Sequence, residues 1–304
     1  MADDEPGNSD ADAGERASGL RERIADQFSY RGERADVWRV FDSLLETDAY
    51  LNLGYSGRYQ SHLVGSSQRR LADVVGRRLA ANVREPPGTR VLDVGCGRGG
   101  PAVRLADEFG VRATGVDLVP YNVARARENA AERGVDAEFV VGDATRLPFG
   151  RDSLPAAVSV DALVYLPDRA AVLAELADVL EPGGVLVFTD LVADRDATDA
   201  DVRAVDRFAA AWDMPELGSR PGYERALADA GFDVLAVEDL TPHSVGRFRK
   251  WTTLFAAVHA TPGGGLLDRA LERRGLDAAT ITEQIERAHE ALPALEHVLV
   301  VAEA

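Results

Sequence analysis

The chain has 304 residues, 46% of them hydrophobic, with 51 acidic against 34 basic side chains and a formal net charge of −17. That length holds one large α/β domain with additions or two small domains, and the apolar content excludes a disordered protein. The charge argues against attraction to nucleic acid or an anionic membrane surface, and the one cysteine, Cys96, excludes an intramolecular disulfide and a cysteine-cluster metal site.

Residues 1–19 are small, acidic and aperiodic and read as a disordered tail. Their opening MADDEPGNSD has neither basic n-region nor apolar core, and no apolar run in the chain reaches membrane-span length. A cytoplasmic protein without stable membrane insertion is expected. Lys250 is the only lysine among many arginines and acids, a surface that resembles those of halophilic, salt-adapted proteins.

A helical cap is expected over 20–85. Its first part carries Ile24, Phe28, Val37, Val40, Phe41 and Leu44 with patchy helical periodicity. Glycines and aromatics interrupt it at Tyr50–Gly57. A second helix runs through Leu71, Val74, Val75 and Leu79 to the boundary signal Glu85-Pro86-Pro87-Gly88.

From Arg90 the pattern becomes strand then helix, repeatedly. Strands are predicted at Val91–Val94, Val111–Val116, Glu138–Val141, Pro155–Val160 and Val185–Thr189, with helices at Tyr121–Glu132 and Ala170–Leu180. Such alternation implies a doubly wound parallel α/β sheet. Helices at Thr198–Asp213 and Gly222–Ala230, a strand at Phe232–Val237, helices over about 246–292 and a last strand Val298–Ala302 complete the chain. The segments at about 195–220 and 242–292 would lie as lids over the carboxyl edge of the sheet.

The most informative stretch is Val91-Leu92-Asp93-Val94-Gly95-Cys96-Gly97-Arg98-Gly99-Gly100-Pro101. Apolar residues around an acid end a buried strand, glycines turn the backbone, and proline opens a helix. This is how open α/β sheets build a nucleotide site. Gly95-x-Gly97-x-x-Gly100 also satisfies the dinucleotide fingerprint, which leaves an NAD-dependent oxidoreductase as one reading. Asp93 distinguishes the two: a carboxylate at this turn disfavours a pyrophosphate and favours a ligand carrying ammonium and sulfonium groups.

The pattern Asp93-x-Gly95-Cys96-Gly97-x-Gly99 resembles motif I of the class I S-adenosylmethionine (SAM) dependent methyltransferases. Asp117, ending the second strand in Gly115-Val116-Asp117-Leu118, stands where that family binds the ribose hydroxyls, although an acid there also suits a helix N-cap. Gly142-Asp143-Ala144 with Leu147-Pro148-Phe149 is similar to the segment that meets the adenine. The segments Asp161-Ala162-Leu163-Val164-Tyr165-Leu166-Pro167-Asp168 and Glu181-Pro182-Gly183-Gly184 resemble the small-molecule branch, which includes ubiquinone, sarcosine and natural-product enzymes. The resemblance implies a Rossmann-like sheet of seven strands with the last antiparallel, a methyltransferase domain over 86–304, and SAM as cofactor. It places Asp93, Gly95, Cys96, Gly97, Asp117, Leu118, Asp143, Ala144 and Val160 against that cofactor.

Methyl transfer is an in-line displacement, so a base matters only where the acceptor must lose a proton. Many relatives carry histidine just before the Leu-Pro-Asp segment; here Val164-Tyr165 stands instead. The catalytic candidates are therefore Asp190 after the fifth strand, Tyr165 and His243, with a solvated acid and a structural histidine as the plainer readings of Asp190 and His243. His62, His259, His289 and His297 show no spacing that suggests a metal. Tyr50, Tyr55, Tyr59, Phe208, Trp212, Phe248, Trp251 and Phe255 either line an acceptor pocket or form core. The expected partner is a small organic molecule, with a lipid, quinone or isoprenoid-like acceptor preferred, and no nucleic acid. A SAM-binding module without catalysis is the remaining reading.

Overall fold

The structure is a computed structural model that describes residues 19, 22–26, 28–29, 49–60, 66–194, 198–261, 263–273 and 275–304. The acidic tail up to residue 18, most of the first cap segment with Val37, Val40, Phe41 and Leu44, and His62 lie outside the described residues.

Seven strands form one sheet: β1 (Arg90–Val94), β2 (Arg112–Asp117), β3 (Ala137–Val141), β4 (Leu154–Val160), β5 (Leu180–Ala193), β6 (Asp233–Asp239) and β7 (Leu295–Glu303). Their order is β3-β2-β1-β4-β5-β7-β6. The first five run parallel, and β7 pairs antiparallel with both β5 and β6. This is the expected Rossmann-like arrangement with an antiparallel last strand. The chain winds outward from β1 through β2 to β3, then returns to β1's other side as β4. Side chains at the carboxyl ends of β1 and β4 consequently diverge around a crevice, the switch point where such sheets bind ligands.

From residue 66 on, nine α-helices accompany the sheet: α1 (Ser66–Asn82), α2 (Gly100–Phe109), α3 (Pro120–Arg133), α4 (Arg169–Val179), α5 (Asp199–Ala211), α6 (Arg220–Ala230), α7 (Val245–His259), α8 (Gly264–Glu272) and α9 (Ala278–Ala291), and residues 22–26 before them are also helical. Period-two alternation divides the strand residues between two cores. Val91, Val158, Val187 and Leu299 face α1, α2 and α3. Their neighbours Leu92, Ala157, Phe188 and Val298 face α4 and α6. Leu92, Leu105, Leu173 and Leu186 are fully buried, each contributing about 2 kcal/mol over an exposed position.

The Pro182-Gly183-Gly184 turn works as a bulge. The partner of Leu154 is Leu180, while that of Ala156 is Val185, so four residues loop out where α4 feeds the sheet. Asp168 of the Leu-Pro-Asp segment accepts the Ala171 N–H at 2.9 Å and caps α4. A third apolar cluster joins α5, α7, α8 and α9 to Val164, Leu191 and Leu295 at the carboxyl end of β4 and β5.

Candidate functional site

Gly95, Cys96, Gly97, Asp117, Leu118, Asp143, Ala144 and Val160 all line one cleft at the switch point. Gly95 has φ +69°, and a Cβ there would stand 2.4 Å from the Ala162 Cβ. The turn after β1 therefore requires glycine both for its left-handed backbone and for its close approach to the turn after β4. Cys96 is buried and its thiol is pushed well up by that burial, with Asp117 and Asp93 adding to the shift. A thiolate nucleophile is disfavoured there.

Asp93 sits behind the glycine turn, not in the cleft wall. It is 1% exposed, and neither carboxylate oxygen has a hydrogen-bond partner among the described residues. Burial, then the Asp117 charge, push its pKa up to about 7, opposed only by the backbone at Ala102. An orphaned buried carboxylate is destabilised until a cation approaches it. The ammonium and sulfonium of SAM supply that charge, whereas a dinucleotide's pyrophosphate would aggravate the deficit. The donor set fits SAM.

Asp117 ends β2 as a preorganised acceptor. Its Oδ2 takes the Gly97 N–H at 2.9 Å; its Oδ1 takes the Val119 N–H at 2.8 Å and the Asn122 amide at 3.3 Å. Burial raises its pKa, and those three donors work against the rise. The N-cap position of α3 is Val119, with no side-chain cap, so the capping role considered for Asp117 is not the one it plays. One turn along, Asp143 Oδ1 accepts the backbone N–H and hydroxyl of Thr145 at 2.9 and 2.8 Å. Carboxylates at the ends of β2 and β3 thus follow one edge of the cleft, with Leu118 and Ala144 as apolar neighbours.

The opposite wall is apolar. Ile24, Phe28 and Leu51 from the N-terminal segment face Ala162, Tyr165 and Leu166 after β4. Phe28 meets the Tyr165 ring edge-on with 5.1 Å between centroids. Tyr165 is in the cleft as expected, and burial drives its phenol far above the usual range, so it is a neutral hydroxyl.

Two other catalytic candidates stand elsewhere. Asp190 is fully buried outside the cleft lining; its oxygens accept the Val164 N–H at 3.1 Å and the Tyr223 hydroxyl. Burial pushes its pKa to about 7 against the pull of Tyr223 and Arg169. Neither a solvated acid nor a base facing the cleft describes that placement. His243 stacks on Tyr55 at 4.7 Å and its Nδ1 lies 3.1 Å from the Ser56 carbonyl, tying the N-terminal segment to the turn before α7. Of the two places open to the aromatics, pocket or core, most take the core. Phe208, Trp212, Phe248, Trp251 and Phe255 pack in the third core cluster, and Tyr59 is 91% exposed.

A third acid of the cleft lining, beside Asp117 and Asp143, is Asp161, which follows β4 and which no short motif in the sequence marks as a site residue. It is 8% exposed with φ +54°, a left-handed conformation that costs about 1 kcal/mol in a non-glycine residue. Its neighbours fix it there. Oδ1 accepts the Thr189 hydroxyl and lies 2.9 Å from His297 Nε2, while Oδ2 accepts the Leu53 N–H at 2.8 Å. His297, on β7, is fully buried, and its Nδ1 lies 2.7 Å from Ser244 Oγ. Burial pushes the Asp161 pKa up, but the His297 charge and the three hydrogen bonds outweigh it and hold the carboxyl below its ordinary range. Asp161 is therefore a carboxylate at neutral pH.

Among the described residues, no group of three or more His, Cys, Asp and Glu side chains is placed to hold a metal ion. No described helix is long and apolar enough to cross a membrane.

Residues 91–184 match a family model described as a methyltransferase domain. The chain is 33% identical over 248 residues to the O-methyltransferase cnsE of Penicillium expansum, across 78% of this chain and 85% of that protein. It is 45% identical over 105 residues to the 2-methyl-6-phytyl-1,4-hydroquinone methyltransferase of a Synechocystis strain, about a third of either chain. A putative sarcosine dimethylglycine methyltransferase from Galdieria sulphuraria has a similar fold, with TM-score 0.72 at 19% identity, covering 88% of this chain and 98% of that one.

Proposed function

Given that this chain belongs to the class I SAM-dependent methyltransferases acting on small molecules, we propose that it methylates a hydroxyl oxygen on a small, largely apolar acceptor of the phenol or hydroquinone kind. The observation that carries this reading is Asp161, the ionised acid of the cleft's acceptor side, standing between the glycine turn and the apolar wall. The identity shared with an O-methyltransferase over most of both chains supports oxygen as the target.

SAM supplies an electrophilic methyl group when bound. Asp93 neutralises its positive charge, Asp117 accepts from its ribose hydroxyls, and Asp143 with Leu118 and Ala144 holds its base. Asp161, Ala162 and Tyr165 line the part of the cleft where the acceptor would meet that methyl group. Ile24, Phe28 and Leu51 cover the acceptor and exclude water, which would otherwise compete for alignment. As the new carbon–oxygen bond would form at the expense of the methyl–sulfur bond, whose electron pair leaves on sulfur, the acceptor's O–H would become strongly acidic. A carboxylate of low pKa is then base enough, and Asp161 takes that proton at Oδ2. His297 is a positioning residue: it holds Oδ1 in place and compensates the buried charge, with Ser244 behind it.

The test is incubation with methyl-labelled SAM and a panel of phenols, hydroquinones, amines and isoprenoid diphosphates. Labelled ethers are expected, and label confined to amines or carbon would overturn the assignment. Asp161→Asn should lower turnover by about 100-fold or more while SAM affinity stays within threefold. His297→Gln should lower turnover less, with the pH dependence of the rate displaced.

A further inference from the structure

The acids of this chain are unevenly placed. No Asp or Glu stands in residues 49–72, nor in residues 240–267, although the chain carries 51 of them. The two acid-free stretches meet in space. The Ser56 N–H donates to the His243 carbonyl at 2.8 Å, Tyr55 stacks on His243, and Arg247 donates to the Gly57 carbonyl at 3.0 Å. Neither stretch brings an acid to the face they share, on a molecule whose net charge is −17, and Asp268 of α8, 3.2 Å from His259, stands at its border.

What projects from that face is basic and apolar. On α7 the exposed positions are Arg249, Lys250, Thr253, Leu254, Ala257 and Val258, spaced so that they share one side of the helix. Leu254 is 61% exposed and Leu266, at the start of α8, 67%. Beneath them Phe248, Trp251 and Phe255 face the core, so the outer leucines are not displaced core residues. Beside the N-terminus of α7, Tyr59 is the most exposed large apolar side chain described, and the Arg58 guanidinium lies 5.6 Å from its ring centre.

Basic heads beside aliphatic side chains and an exposed tyrosine are the pattern by which a helix lies in a bilayer interface without spanning it. The protruding aliphatics favour acyl chains over nucleic acid, whose binders offer aromatic rings to stacked bases. We propose that the outer face of α7, with the start of α8 and the Arg58–Tyr59 corner, docks reversibly on an anionic lipid surface. The global charge repels such a surface; Arg58, Arg249 and Lys250 set an orientation in which approach is favourable. This surface is independent of the acceptor assigned above.

The test is flotation of the full chain with vesicles of phosphatidylglycerol and, in parallel, of phosphatidylcholine. Binding to the anionic vesicles is expected, with at least fivefold less on the zwitterionic ones and weakening as salt rises. Arg249→Glu with Lys250→Glu should lower the bound fraction at least fivefold, and Leu254→Ser with Leu266→Ser severalfold. All four positions are exposed, so unchanged SAM affinity reports intact folding in both variants. Absence of flotation with anionic vesicles at low salt overturns the proposal, as does indifference to the charge reversal. A dimer that Leu254→Ser with Leu266→Ser dissociates, or an RNA oligonucleotide retained more tightly than the anionic vesicles, assigns the face to another partner and overturns it equally.

Discussion

The two sides of the cleft are built by different means. On the cofactor side two of the acids are held from within 20 residues: Asp117 by Val119, Asn122 and Gly97, and Asp143 by Thr145. On the acceptor side Asp161 is held by Leu53, 108 residues before it, and His297, 136 residues after it. A strand end and its turn thus make a cofactor site nearly by themselves, whereas the acceptor site exists only once distant segments have packed. Local construction keeps the first geometry fixed, and long-range construction leaves the second free to be reshaped by changes in the cap and the helical insertion.

The largest effect should come where the two sides touch. Gly95→Ala puts a methyl 2.4 Å from Ala162 at a left-handed backbone position. Strain and clash together should cost about 3 kcal/mol, a loss of about 100-fold in SAM affinity by calorimetry. Unchanged affinity would mean that the turn after β4 yields, and the two sides are less separate than described.

A smaller effect sharpens the cofactor side alone. The Asp93 carboxyl has its pKa at about 7 without a ligand, above the ordinary 3.8, and a bound cation favours its ionised form. SAM affinity should therefore hold above pH 7 and fall below it, approaching about tenfold per pH unit. Asp93→Asn should bind weakly at every pH and flatten the profile. A wild-type affinity constant from pH 5.5 to 8 would show that Asp93 does not face the cofactor's charge.

The smallest effect separates Asp190 from the acceptor side. Its folded pKa, about 7, lies above its unfolded value, so its contribution favours folding at low pH and is lost as pH rises from about 4 to about 7. Asp190→Asn removes that penalty. The variant should be more stable than wild type at pH 8, by about 2 kcal/mol in chemical denaturation, and no more stable at pH 4. Turnover should stay within about threefold. A large loss of turnover with unchanged stability would return Asp190 to the catalytic candidates.

The same contrast explains what was legible in the sequence. Strands and glycine turns follow from period-two runs and short spacings, and every predicted strand is present within a few residues of its expected ends. Asp93, Asp117 and Asp143 lie within two residues of those strand ends, where short motifs and the family resemblance draw attention to them. Asp161 also stands at a strand end, but its importance depends on Thr189, Leu53 and His297, and no local pattern announces that meeting. The aromatic clusters stayed open between pocket and core for a related reason. Helical spacing places Phe248, Trp251 and Phe255 on one side of α7 without saying whether that side meets a ligand or α9, and packing chose the core. Asp161 and Asp190 both read as strand-end acids and look equivalent in sequence; Asp161 does follow β4, but Asp190 lies inside β5, which continues to Ala193, and Tyr223 closes it off while the cleft opens beside Asp161.

β7 carries a consequence for how the molecule comes into being. It lies between β5 and β6, so β6 has no edge to join until β7 has arrived, although it precedes β7 in the chain. During synthesis the cofactor strands can assemble early on the ribosome, but β6 must wait for the last strand of the sheet to emerge. That strand also brings His297 to Asp161. A nascent chain halted before it would hold a half-formed nucleotide cradle and no histidine behind the acid. Insertion of β7 between β5 and β6 is then also the step that pairs the acid with its histidine.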